Sequence, residues 1–413
     1  MLDARATPVD TLSPAVPQVA VLTGGGDRPY ALGLAAALIS EGVNFDFIGS
    51  DDLDTPELQQ SPLVHFLNLR GDQNPEAPLL RKLTRVVTYY VRLIHYAATA
   101  KAPIFHILWN NKVEFLDRTL VLLYYRLCGK RLVFTVHNVN VRKRDGHDSL
   151  LNRLTLKFQY WLVDHLFVHT DRMKQELNAD FDVPPAKISV IPFGINSTVP
   201  NTTRTTTEAR QWLGLERHQR VLLFFGNIAP YKGVEYLVDA MTLVAARVPD
   251  VRLVIAGRPK GAESYWETIR ARITELRLDP IIVQRIEYVP DAETELYFKA
   301  ADVLVLPYTH VFQSGVLFLG YNFGLPVIVA DVASLKDDVV EGQTGFVCQP
   351  RSAAALAVVI ERYFCSELYR QREMRRPDIC RFANERYSWA IVALKTVDVY
   401  RVLAPEGVSS SAR

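Results

Sequence analysis

Short apolar, β-branched runs alternate with longer amphipathic stretches along nearly the whole chain, and this alternation restricts the fold more than any other feature. The runs fall at 19–23, 45–49, 63–67, 104–109, 131–136 and 166–170, with helical patterns such as 30–40, 78–100, 115–127 and 149–163 between them. A strand that is apolar along its full length must be covered on both faces, and intervening helices supply that cover. The pattern is that of a doubly wound α/β layer with a parallel sheet. It pauses once. A strand within 187–196 runs into Pro192 and Gly194, and then into the Thr- and Asn-rich stretch 196–208, which reads as a linker. The alternation then restarts, with strands at 221–226, 251–257, 281–289 and 302–308 and helices at 233–247, 264–276 and 291–300. Two similar α/β halves joined by a hinge near 194–208 place a cleft between them, faced by strand C-terminal ends, where such sheets bind ligands.

Length and charge agree with this reading. At roughly 100–200 residues per domain, 413 residues suit two domains. Lys and Arg number 47 against 45 Asp and Glu, a net charge of +2, which gives no support to a duplex nucleic-acid binder. Cys128, Cys348, Cys365 and Cys380 form no C-x-x-C pair and read as reduced thiols of a cytosolic protein, not as zinc ligands. No metal-binding histidine constellation stands out. The first ten residues lack the apolar core of a signal peptide. No run of about 18 apolar residues occurs, so any membrane contact would be peripheral. The tail 408–413 reads as disordered.

Two turns suggest phosphate binding. In Phe225-Gly226-Asn227-Ile228-Ala229-Pro230-Tyr231-Lys232-Gly233, a buried strand ends at Gly226 and a helix begins near Gly233. Unpaired N–H groups at a helix start, together with the Lys232 ammonium, suit a diphosphate. An ordinary strand-to-helix turn with a solvated lysine is the alternative. The second turn, Thr23-Gly24-Gly25-Gly26, also follows a strand, but Pro29 stands where a dinucleotide fingerprint would place its last glycine.

Taken together, these segments resemble the retaining glycosyltransferases of family four, over roughly residues 19 to 400. The glycine turn at 24–26 sits where that family has its acceptor-side loop, and Val136-His137-Asn138 is similar to its strand-end histidine near the donor. Residues 190–196 are similar to the interdomain hinge, and Gly226 through Gly233 to the turn that usually reads G-R-x-x-x-K-G. Ile255-Ala256-Gly257, Tyr288-Val289-Pro290, 301–307, 323–328 and 341–346 complete the order. The resemblance implies the GT-B architecture of two Rossmann-like domains. The first spans 1–195, with a C-terminal helix about 386–403 packing back on it, and the second, 196–385, binds the nucleotide sugar. It further implies catalytic roles for His137 and Lys232. The implied donor-binding set is Gly25, Gly26, Asn227, Lys232, Gly233, Arg258, Tyr288, Val289, Gln313, Ser314, Gly315 and Val316.

Two positions depart from the family pattern. Asn227 replaces the usual arginine of the phosphate turn, leaving more of the charge to Lys232, with Arg258 or Lys260 as substitutes. Counting back from Gly324-Leu325-Pro326, Val311 and Leu319 stand where the family has paired glutamates. Here the loop reads Phe312-Gln313-Ser314-Gly315-Val316. Its helix-start N–H groups can face a phosphate or sugar oxygen, and the Gln313 amide can bond hydroxyls.

The chemistry implied is hexosyl transfer from a nucleotide-diphosphate sugar to a glycan or lipid-linked acceptor in polysaccharide or glycoconjugate biosynthesis. Charge growing on the leaving phosphate would be met by Lys232 and nearby N–H dipoles. The resemblance implies retention by same-face attack, with the leaving phosphate as proton acceptor and neither metal nor cofactor. A basic stretch, Arg81, Lys82, Arg85, Arg92 and Lys101 interleaved with Tyr89, Tyr90, Ile94 and Tyr96, suits either an anionic membrane surface or a solvated helix face whose aromatics are core. Arg142-Lys143-Arg144 adds a cationic loop near His137. A cytoplasmic location, with contact at the inner membrane face, would follow. A GT-B nucleotide-sugar epimerase and a non-catalytic sugar-nucleotide-binding scaffold are the alternatives.

Overall fold

The computed structural model describes residues 16–74, 76–144, 146–195, 199–259, 261–311 and 313–404. Asn196 at the start of the expected linker, Lys260, Phe312 and the tail lie outside the described residues. Among the described residues, thirteen strands form two parallel sheets. The first has seven: β1 (Val19–Leu22), β2 (Phe45–Gly49), β3 (Val64–Asn68), β4 (Ile104–Ile107), β5 (Arg131–Val136), β6 (His165–Val168) and β7 (Ile188–Val190), in the order β3-β2-β1-β4-β5-β6-β7. The second has six: β8 (Arg220–Phe225), β9 (Val251–Ala256), β10 (Ile282–Arg285), β11 (Val303–Leu306), β12 (Val327–Ala330) and β13 (Gly345–Cys348), in the order β10-β9-β8-β11-β12-β13. β1, β2, β4, β11 and β12 are buried along their whole length, as both-face cover requires. The expected long strand at 281–289 is shorter, ending at Arg285.

Each sheet reverses its strand order once, between β1 and β4 and between β8 and β11. Loops leaving neighbouring strands at such a reversal diverge to opposite faces and open a crevice. The glycine turn follows β1, the Lys232 turn follows β8, and the Gln313 loop follows β11. All three sequence-identified turns therefore belong to switch points.

The polar stretch after the hinge is not a free linker throughout. Thr205 caps the helix Thr206–Leu213: its Oγ1 accepts from Glu208 N at 3.2 Å while Glu208 Oε2 accepts from Thr205 N at 2.7 Å. That reciprocal pair is the T-x-x-E capping box, worth about 1 kcal/mol, and it is legible in 205–208. Thr202 is also held, donating its N–H to Glu295 at 2.8 Å. At the other end of the chain, the helix Trp389–Leu403 packs on the first lobe. The Trp389 indole fills the space beside Gly33, where a Cβ would come within 2.2 Å of it, and Tyr400 Oη lies 2.6 Å from the buried His106 Nδ1.

Candidate active site

An open cavity of about 340 Å³ lies between the lobes. Lys232, Tyr288, Val289, Gln313, Ser314, Gly315 and Val316 share its wall on the second lobe, and Asp27, Tyr30, Asn138 and Phe193 face them from the first. Lys232 ends a single 3-10 turn, Pro230–Lys232, opened by Pro230, whose ring presets the backbone. Gly233 follows with φ +64°. A Cβ there would stand 2.1 Å from the Pro307 carbonyl oxygen, so only glycine lets the β8 and β11 loops meet. The Lys232 side chain is 8% exposed, donates to Tyr308 Oη at 2.6 Å and lies 4.0 Å from the Tyr308 ring centroid. Ser314 Oγ is 3.4 Å from the same hydroxyl. Tyr308 thus links the lysine to the start of the helix Gly315–Asn322, and burial holds its phenol well above the ordinary range, neutral beside the ammonium.

The wall opposite this cation is mixed. Val311 and Leu319 line the cavity, 8% and 5% exposed, so no carboxylate projects from those positions. An acid does stand behind Gln313. Asp338 accepts from Tyr387 Oη at 2.8 Å and lies 3.4 Å from Gln313 Nε2, and burial pushes its carboxyl up to about 7. Gln313 Oε1 is buried without a partner among the described residues, leaving an acceptor for a hydroxyl at the cavity. Tyr288 is 62% exposed at the rim, with the Arg258 guanidinium 5.3 Å from its ring centroid.

Other sequence-selected residues fall outside this lining. Asn227 and Arg258 are exposed and absent from the cavity wall. Gly25 and Gly26 face their own lobe: a Cβ on Gly25 would meet the Arg70 guanidinium at 2.2 Å, and one on Gly26 the Trp109 indole at 1.9 Å. His137 stacks on Trp109 with ring centroids 4.0 Å apart and planes within 4°, while its Nδ1 lies 3.0 Å from His169 Nε2. Tyr30 and Phe193 pack against it and line the cavity in its place. Burial first, then His169 and His106, holds the His137 pKa well below the usual histidine range. The ring is neutral near pH 7 and brings no charge to a phosphate. The 142–144 segment is no free cationic loop either. It lies in a short helix, Val141–Arg144, in which Lys143 pairs with Asp180 at 2.8 Å and Arg142 with Glu114 at 3.2 Å.

Sequence reasoning passed over Asp27, Tyr30, Asn138, Tyr308 and Asp338. Asp27 carried a signal, since an aspartate before Arg28-Pro29 is a helix cap, and its carboxylate accepts from Tyr30 N at 2.9 Å. Burial raises its pKa, helped by Asp291 across the cleft. Arg28 bridges to Asp291 at 3.4 Å, a direct tie between the lobes.

On the first lobe, the helix Leu79–Thr99 turns Tyr89 and Tyr90 into the core, as the alternative of a solvated face with core aromatics expected. Its outer face is aliphatic instead: Leu79, Leu80, Leu83, Val87 and Val91 are all more than half exposed. Phe115, Leu120, Leu150, Leu151 and Trp161 on other helices of this lobe are also more than half exposed. No helix among the described residues is long and apolar enough to cross a membrane. No group of His, Cys, Asp and Glu suited to a metal occurs among them.

Comparison with known proteins agrees with the geometry. Residues 24–199 match the model "Glycosyltransferase Family 4" and residues 219–365 match "Glycosyl transferases group 1". The chain is similar to a D-inositol 3-phosphate glycosyltransferase of Corynebacterium glutamicum (strain R), 29% identical over 67% of this chain and 68% of the relative. Across five such Corynebacterium relatives the chain spans 56% to 68% of their length. Among solved structures, sucrose-phosphate synthase from Thermosynechococcus elongatus superposes with a TM-score of 0.73 at 20% identity, covering 94% of this chain and 99% of that one. Anabaena HepE in complex with UDP-glucose superposes with a TM-score of 0.71 at 15% identity, covering 94% and 100%.

Proposed function

We infer, from the premise that this chain is a glycosyltransferase on the GT-B fold, that it moves a hexosyl group from a nucleotide-diphosphate sugar to a glycan or lipid-linked acceptor, with retention of configuration. The observation that carries this reading is the placement of Lys232 and the 314–316 helix start on one wall of the interlobe cavity. A diphosphate seated there meets an ammonium and unpaired backbone N–H groups from two switch-point loops. As the anomeric bond breaks, negative charge grows on the leaving phosphate, and groups already fixed in place stabilise it without reorganising. The acceptor hydroxyl attacks from the same face and gives its proton to the leaving phosphate oxygen, so no protein nucleophile is required. Gln313, backed by Asp338, bonds a hydroxyl in the cavity through its unpartnered Oε1. Tyr288 offers an aromatic surface at the rim.

The exposed aliphatic strip of Leu79–Thr99 favours an acceptor presented at a membrane. Arg81, Lys82, Arg85 and Arg92 on the same helix complement anionic headgroups while Leu79, Leu80 and Leu83 enter the interface. The enzymatic assignment is tested by hydrolysis of UDP-, GDP- and ADP-sugars by the full-length chain. Turnover of at least one donor is expected. Nucleotide binding without turnover of any donor would support the scaffold alternative instead.

A further inference from the structure

A second, narrow pocket, of about 20 Å³, opens on the first lobe beside the glycine turn. Arg70 reaches it from the loop after β3, Arg85 and Tyr89 from the helix Leu79–Thr99, and Asn111 and Lys112 from the loop after β4. Arg70 is only 8% exposed. Its guanidinium carbon sits 5.3 Å from the Tyr89 ring centroid, and its Nη1 is buried with no hydrogen-bond partner among the described residues. Gly25 makes this placement sterically allowed, since any side chain there would strike the guanidinium.

The charges around the pocket do not cancel. Asp72 is the carboxylate at its edge; it pairs with Arg81 at 3.2 Å and lies 3.7 Å from Arg85. Asp117 lies behind the wall, where its Oδ1 accepts from Tyr90 Oη at 2.8 Å and from Asn111 Nδ2 at 3.0 Å, and burial raises its pKa. Arg70, Arg85 and Lys112 thus line the pocket with no carboxylate in the lining, and Asp72 beside it pairs with Arg81 and Arg85. Burial and then the repulsion of Arg85, Arg70 and Lys82 lower the pKa of Lys112, the response of an ammonium lacking its anion. A buried guanidinium N–H left unpaired is unfavourable, and an anion that accepts from it recovers the loss. A planar guanidinium fork beside a point-charge ammonium matches the several oxygens of one doubly charged phosphoryl group.

We propose that the pocket formed by Arg70, Arg85 and Lys112 binds a phosphoryl group of the acceptor. This deepens the transferase reading and rests on it. Asp27, two residues past Gly25, lines the interlobe cavity, so an acceptor anchored by phosphate at Arg70 extends past the glycine turn toward the donor. The phosphoryl group belongs either to a soluble sugar phosphate or to a lipid-linked phosphate, the latter reached from the exposed aliphatic strip on the Arg85 helix.

The test measures binding by the full-length chain of inorganic phosphate, and of phosphatidylcholine vesicles with and without polyprenyl phosphate. Wild type, Arg70→Gln and Lys112→Gln are compared. Lys112 is an exposed residue, so its variant stays folded if Arg70→Gln does not. Weakening by on the order of tenfold or more in both variants is expected. Such a loss for inorganic phosphate indicates a soluble acceptor, and for polyprenyl phosphate vesicles alone a lipid-linked one. Binding unchanged in Lys112→Gln overturns the proposal. So does an equal loss, in Lys112→Gln, of binding to phosphatidylserine vesicles. Intact phosphate binding with no sugar nucleotide consumed would instead remove the transferase reading and leave the pocket standing.

Discussion

Replacing Lys232 with methionine tests the diphosphate assignment most directly, because it deletes the charge and keeps the stem. The side chain is 8% exposed, so alanine would also open a hole, at about 0.8 kcal/mol per lost methylene, and would confuse folding with chemistry. Methionine fills nearly the same volume. Among the contacts that methionine loses is the donor to Tyr308 Oη, a hydrogen bond of net worth about 1 kcal/mol. A charge-assisted bond to a phosphate oxygen is worth about 1.5–3 kcal/mol, and a preorganised donor to a developing oxyanion about 2.7–4 kcal/mol. At about 1.4 kcal/mol per decade, Lys232→Met should lower kcat/KM for sugar-nucleotide turnover by about 10²–10³-fold. The urea midpoint should shift by no more than about 1 kcal/mol of stability. Tyr308→Phe keeps the ammonium and removes its partner, and should lose less than about tenfold. Turnover by Lys232→Met within about threefold of wild type, from a folded protein, would refute the placement of the leaving phosphate at this lysine.

Other outcomes follow from the same geometry. Asp302 accepts from Arg210 at 2.9 Å, Arg372 at 2.7 Å and Val221 N at 2.8 Å while 2% exposed, so Asp302→Ala strands a buried Arg210 and should cost about 3–5 kcal/mol in urea unfolding. A loss under about 1 kcal/mol would show that solvent reaches the pair. Asp338 titrates at about 7 in the folded protein against a usual value of 3.8, so the native state holds the extra proton between those pH values. Stability should therefore fall as pH rises through that window, by on the order of 4 kcal/mol at most, and unfolding of Asp338→Asn should lack that slope. An identical pH profile in both proteins would contradict the buried acid. Leu80→Glu and Leu83→Glu each remove an apolar contact worth about 1.5–3 kcal/mol, and should weaken sedimentation with phosphatidylglycerol vesicles by about tenfold or more. Unchanged sedimentation would leave the aliphatic strip without a membrane role.

What the sequence made legible was whatever depends on local chain chemistry. Strands buried on both faces announce themselves as unbroken apolar runs, so β1, β4, β8 and β11 were found within a residue or two. Turns at switch points carry glycine and proline because the backbone demands them, which made the Lys232 turn visible, whereas the Gln313 loop was legible only through the family resemblance. Residues that serve the site by reaching across the fold leave no such trace. Tyr308 reads as one more aromatic after a strand until Lys232, 76 positions away, is seen to donate to it. Asp338 lies in an unremarkable Asp-Asp pair, and only the tertiary packing of Tyr387 and Gln313 makes it a buried acid.

The glycine turn shows how the same local signal can be sound while its use differs. Three glycines after a strand imply that something approaches the backbone closely, and something does: the Arg70 guanidinium at Gly25 and the Trp109 indole at Gly26. Sequence spacing cannot distinguish a ligand from a side chain brought in by another loop, because both impose the same steric demand. The consequence reaches beyond the turn. By admitting Arg70, Gly25 fixes a cation whose Nη1 has no protein partner, and by admitting Trp109, Gly26 allows the stack that buries and neutralises His137. The cation held beside this turn is thus Arg70, while the strand-end histidine is neutral and outside the cavity lining.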